Sequence, residues 1–134
     1  MRAALLAGVA VGPLAVLAAG FAHADPSLPP PPPYIDHTEW VISGGLSSLH
    51  VYPTSAGRLA STEFVSPGEA WSEVMADSPD ADSPGMRAQF VCHWHFAELA
   101  EPGKVSWNLE PWRPVVDDAT MIATRCNPGG AEEP

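Results

Sequence analysis

The stretch RAQFVCHWHFAEL, residues 87–99, decides the fold. Phe90, Cys92, Trp94 and Phe96 fall at every second position in it, with Gln89, Val91, His93 and His95 between them. A repeat of two is that of a strand, whose successive side chains point to opposite faces, so the spacing predicts a central strand over 87–99. On that reading Phe90, Cys92, Trp94 and Phe96 face the core. His93 and His95 then share the opposite face with Arg87 and Gln89.

Working outward, residues 39–43 and 48–52 read as two strands around Gly44-Gly45, a pair that can take the positive φ angles of a tight hairpin. A helix over 66–76 is signed by Ser66 as N-cap, Pro67 at the first helical position and Glu69 three residues after Ser66. Ala70, Trp71, Val74 and Met75 give it an apolar stripe. Residues 77–85, DSPDADSPG, form an acidic loop that lacks the ligand order of a calcium-binding EF-hand and reads as a solvated turn. Further strands at 104–109 and 120–126 complete an α+β fold, a small and mostly antiparallel sheet with one short helix.

The ends of the chain are of a different kind. Met1-Arg2, an uncharged run from Ala3 to Gly20 and Ala22-His23-Ala24 make a secretory signal peptide over 1–24, cleaved before Asp25. The run is just long enough to span a bilayer, but its Ala, Gly and Pro content makes it a weak span, so no stable membrane span is expected after cleavage. Residues 25–33, DPSLPPPPP, are a polyproline II spacer, and residues 127–134, NPGGAEEP, a flexible acidic tail. One globular domain over 34–126 is left between them. The expected location is therefore secreted, either extracellular or in the cell envelope.

Export changes the meaning of the two cysteines. Outside the cytosol an even number of thiols is expected to be oxidised, so Cys92 and Cys126 are predicted to form a disulfide that staples the domain. Composition excludes some functions as well. With 16 acidic residues against 6 basic ones and a net charge of −10, the chain lacks the clustered Lys and Arg that a nucleic-acid binder needs to displace phosphate counterions.

The blocks YIDHTEW from Tyr34, LHVYPTSAGR from Leu49, WSEV from Trp71, QFVCHW from Gln89 and WNLEPWRP from Trp107 resemble a family of small exported proteins of mycobacteria and related actinobacteria. That family is known only as a domain of unknown function. The resemblance implies an exported or cell-envelope protein of a high-GC bacterium and carries no activity with it.

Chemistry-bearing residues gather in two places. On the predicted strand, Arg87, Gln89, His93 and His95 share one polar face. If WNLEPWRP forms the neighbouring strand, Glu110, Trp112 and Arg113 border the same patch and supply an acceptor, an indole and a forked donor for an anionic or sugar-like ligand. No nucleophile elbow, cofactor motif or close-spaced metal motif accompanies them, so no cofactor and no metal is assigned. These residues read as the surface of a non-enzymatic interaction or binding module with an envelope protein or a glycan as partner. The alternative is a small extracellular hydrolase or metal-binding protein using His93, His95 and Glu110, in which flanking Trp107 and Trp112 would desolvate the carboxylate.

Overall fold

The computed structural model describes residues 8–20 and 25–131; the expected cleavage site at 22–24 and the charged start of the leader lie outside the described residues. The elements are β1 (Ile35–Ser43), β2 (Leu46–Pro53), α1 (Ser55–Thr62), α2 (Gly68–Asp77), a 3₁₀ turn (Pro79–Ala81), α3 (Pro84–Ala100), β3 (Trp107–Leu109) and α4 (Asp118–Ala123). The strands form one antiparallel sheet in the order β1-β2-β3. The α+β class and the antiparallel sheet therefore stand, while the single short helix becomes several.

The largest correction concerns residues 87–99, which are not a strand but most of the 17-residue helix α3. Ser83 caps its start by accepting from the Met86 N–H at 3.4 Å, and Pro84 occupies the first turn, where its missing N–H costs nothing. Met86, Gln89, Phe90, His93, Trp94 and Ala97 are all buried, and their spacing is that of one helical face. The period of two was an overlay of two i,i+4 pairs on different sides of the helix. Phe90 and Trp94 enter the core, whereas Cys92 joins a second small cluster with Met121 and Cys126. Gln89 and His93 hid the true period because they are polar and yet buried.

The predicted strand at 120–126 is likewise a helix and its exit. Asp117 caps α4 by accepting from the Thr120 N–H at 2.8 Å, and the chain leaves through Arg125 and Cys126, both at positive φ. The strand expected over 104–109 shortens to β3. Helix α2 begins one residue after Pro67, so Ser66 does not cap it. The unforeseen α1 is capped by Thr54, whose Oγ1 accepts from the Gly57 N–H at 2.9 Å.

Other expectations hold. The hairpin turns at Gly44 (φ 58°) and Gly45 (φ 79°), where only a residue without Cβ is unstrained. Cys92 and Cys126 are bonded, with Cα atoms 5.6 Å apart, and the bond ties α3 to the end of α4.

Helices cover one side of the sheet: α2 packs on β1, α3 on β3, and α1 on α3. The core lies between, with Leu49, Val51, Trp107 and Leu109 of the sheet wholly buried. Phe90 is its hub, with ring centroids 5.4 Å from Trp71, 6.2 Å from Trp94 and 6.3 Å from Trp107. Three of the five tryptophans thus brace the core, while Trp40 and Trp112 stay partly exposed.

A sheet of three strands has two edges, and an uncovered edge is a template for unwanted pairing. Helix side chains cover part of both. At β1, Glu73 of α2 accepts from the N–H groups of Tyr34 (2.8 Å) and Ile35 (2.7 Å), and Asp77 from that of Thr38 (2.6 Å). The β3 edge is covered from α3.

Candidate functional site

Helix α3 closes the edge of β3 through two residues one turn apart. Gln89 donates from Nε2 to the Glu110 carbonyl at 2.9 Å and accepts the Glu110 N–H at its Oε1 at 2.8 Å, as a neighbouring strand would. His93 donates from Nε2 to the Asn108 carbonyl at 3.1 Å. Residues 108 and 110 turn the same side of their backbone away from β2, which is why a glutamine and a histidine spaced i,i+4 can reach both.

The segment after β3 is held as firmly. Glu110 is 4% exposed and Arg113 3%, an unusual depth for charged residues and tolerable only because they are paired. Arg113 donates from Nε to Glu110 Oε2 at 2.7 Å, and its Nη1 donates to the carbonyls of Pro128 (3.1 Å) and Gly130 (2.5 Å). Pro128 is wholly buried. Residues 127–130 thus pack on the domain, and the folded unit continues past Cys126. Ser48 of β2 donates to the other carboxylate oxygen, Glu110 Oε1, at 3.0 Å. Trp112 is anchored by the Arg113 guanidinium, which lies 4.5 Å from its ring centre.

The helical nature of 87–99 separates the residues expected to share a face. Residues two apart on a helix point about 200° away from each other, so His93 is buried against β3 while His95 is exposed. Arg87 is exposed too, and Gln89 is sealed inside. The structure therefore joins Gln89, Glu110, Arg113 and Trp112 through direct contacts, sets His93 one turn from Gln89 against Asn108, and leaves Arg87 and His95 outside. His93 and His95 thus do not share one face. Among the described residues, no cluster of three or more His, Cys, Asp and Glu side chains is placed to hold a metal ion.

On the uncovered side of the sheet the same Glu110 meets a different set. Alternation along β2 turns Leu49 and Val51 inward and Ser48, His50 and Tyr52 outward, and the register places His50 beside Asn108. Ser48, His50, Asn108, Glu110 and Trp112 line a groove of about 130 Å³, with Val41 and Leu46 among its apolar walls. Tyr52 continues this face with its ring stacked on His37 at 4.2 Å. The reading of residues 87–99 as the site strand missed Ser48, His50 and Asn108. The period-two pattern of 48–52 was the signal that exposed them.

Comparison with known proteins bears out the resemblance to a mycobacterial family of unknown function. Residues 35–129 match a family described as "Protein of unknown function (DUF2599)". The chain is 51% identical over 144 residues to uncharacterised proteins of Mycobacterium tuberculosis and Mycobacterium bovis, with 97% of each chain covered. An uncharacterised protein of Mycobacterium leprae is 46% identical over 102 residues, covering 75% of this chain and 83% of its own. No solved structure matches.

Proposed function

The chain belongs to the DUF2599 family, and from that premise we propose that it is an exported, non-enzymatic binding module of the cell envelope whose partner is a glycan held on the open face of the sheet. The observation that carries this reading is the groove in which Glu110, Ser48, His50, Asn108 and Trp112 converge. A carboxylate and an amide offer acceptors and a donor for sugar hydroxyls, and an indole at the rim offers a flat apolar surface for the face of a sugar ring. A groove of about 130 Å³ lies well below the ~300–1,000 Å³ of pockets that engulf a whole ligand. It suits a single ring of a longer polymer.

Glu110 holds Ser48 on one oxygen and Arg113 on the other, so the carboxylate is fixed in its orientation at the groove. The disulfide supports export, as oxidised pairs persist outside the cytosol. No helix among the described residues is long and apolar enough to cross a membrane.

The test is co-sedimentation of the purified protein with insoluble envelope polysaccharide from the source bacterium. Saturable binding is expected, lost on Trp112→Ala and His50→Ala while far-UV circular dichroism stays unchanged. Release of reducing ends from the polysaccharide by the wild-type protein would make it an enzyme and end this reading. So would undiminished binding by both variants.

A further inference from the structure

The outer edge of β1 is covered at one end only. At its start the outward N–H groups are taken by α2, those of Tyr34 and Ile35 by Glu73 and that of Thr38 by Asp77 at 2.6 Å. In an antiparallel strand every second residue turns its N–H and C=O the same way, so with Thr38 turned out, Trp40 and Ile42 are turned out as well. Glu39, Val41 and Ser43 between them face His50, Ser48 and Leu46 of β2. Among the described residues, none supplies a partner to the outward backbone groups of Trp40 and Ile42.

The side chains of this stretch leave the edge unguarded. Residues 38–43, TEWVIS, contain no proline or lysine and a single charge, Glu39, and their pairing with β2 has no bulge that would twist them away. Trp40 is 37% and Ile42 74% exposed, so two apolar side chains flank the open backbone groups.

We propose that this open edge pairs with a second copy of the chain, β1 against β1 in antiparallel sense about a two-fold axis, joining two three-stranded sheets into one of six. The groups already committed fix the register. Centring the pair on Trp40 would need the Thr38 N–H, which Asp77 holds, and centring it on Ile42 would run it into Gly44, where the chain leaves extended backbone at φ 58°. Centred on Val41, the ladder sets Trp40 against Ile42 of the second copy and Ile42 against its Trp40. Each pair exchanges two N–H···O=C bonds, four in all, and every outward group of both residues is satisfied.

This self-complementarity is what selects a second copy. Each indole meets an isoleucine, Val41 meets Val41, and Glu39 falls opposite Ser43 of the second copy rather than another carboxylate. Four backbone bonds and two Trp40–Ile42 contacts are a small interface, so the dimer dissociates on dilution. Val41 and Ser43 also line the sheet groove, so pairing sets two grooves side by side on one face. The pairing does not depend on what those grooves bind.

The experiment is sedimentation velocity of the purified protein over a dilution series, at low and high sodium chloride. A monomer–dimer equilibrium is expected, strengthened by salt because two copies of net charge −10 repel each other. Ile42→Pro removes one outward N–H from each copy and no bond within the sheet, a change that an edge strand accepts. It should keep the far-UV circular dichroism of the wild type and weaken the dimer about tenfold or more, since two hydrogen bonds are lost. Val41→Cys tests the register independently. Its two copies face each other as a non-hydrogen-bonded pair with Cα atoms ~4.5 Å apart, within disulfide reach, so mild oxidation should link them. Glu39→Cys, displaced from its counterpart by roughly 13 Å along the strand, should not link. The proposal is overturned if the wild type stays monomeric throughout, if rising salt dissociates the dimer, if Ile42→Pro folds and dimerises as tightly as the wild type, or if Glu39→Cys links as readily as Val41→Cys.

Discussion

Gln89→Leu is the sharpest probe of how the sheet is held. The substitution keeps the volume of a side chain only 1% exposed and removes both of its hydrogen bonds to the Glu110 backbone. The damage exceeds the loss of two bonds. The Glu110 N–H and carbonyl remain buried with no water to replace the amide, and each orphaned group costs about 1–3 kcal/mol. Leucine recovers part of this through its greater apolarity, so the expected loss is about 2–5 kcal/mol. Against a typical stability of about 5–15 kcal/mol this is a large fraction. At ~4–8 °C per kcal/mol for a domain of this size it lowers the melting temperature by at least about 8 °C. Thermal and urea unfolding followed by far-UV circular dichroism would measure it. Gln89→Glu should also destabilise, since it cannot donate to the Glu110 carbonyl and places a charge in the same enclosure. Arg87→Ala, on the exposed side of the same helix, should stay within about 0.5 kcal/mol. A Gln89→Leu protein melting within about 2 °C of wild type would refute the claim that α3 holds the edge of β3.

Replacing Cys92 and Cys126 together by alanine should cost about 3–4 kcal/mol, from the freedom that a loop closed across a sequence separation of 34 denies the unfolded chain, read as the shift in urea midpoint. Gly57→Ala should be more damaging than its size suggests, because the new Cβ would lie 2.1 Å from the Tyr34 carbonyl oxygen; about 1–3 kcal/mol or failure to fold is expected, checked by expression and melting. The Asp117 carboxyl is held below its usual pKa by the Thr120 hydrogen bonds, its side chain capping α4. A depressed folded-state pKa means that this support is present above the unfolded value and is lost as pH falls through the folded one. Asp117→Asn, an equally good cap, should therefore flatten the acid limb of the melting-temperature profile below about pH 4.

The parts of the fold legible in the sequence are those fixed by local geometry. Gly44-Gly45 sets a hairpin by itself, and Ala70, Trp71, Val74 and Met75 show a helical face because one side of α2 is buried and the other wet. Helix α3 was illegible for the opposite reason. It is buried on two sides, against the core through Phe90 and Trp94 and against α4 through Cys92, so apolar residues recur more often than once per turn. Its buried polar residues completed the deception: Gln89 and His93 are inside because β3 needs partners, a requirement that exists only once the strand lies beside the helix. The candidate site divided along the same line. Glu110, Trp112 and Arg113 were visible because they are neighbours in one turn, whereas Ser48, His50 and Asn108 join them only through strand register.

The covered edge also bears on how the groove works. Glu110 is gripped on its backbone by Gln89 and on its side chain by Ser48 and Arg113, and Arg113 in turn grips Trp112 and residues 128 and 130. The groove's acceptor and its aromatic wall are thus held in place by the fold, which would lower the ordering entropy of the glycan binding proposed above. The same coupling makes substitutions at Glu110 or Arg113 poor tests of binding, because removing either leaves the other charge buried and alone, at about 3–5 kcal/mol of stability. Trp112 and His50 lie at the end of this chain of contacts rather than within it. Their loss reports on the ligand with the fold intact.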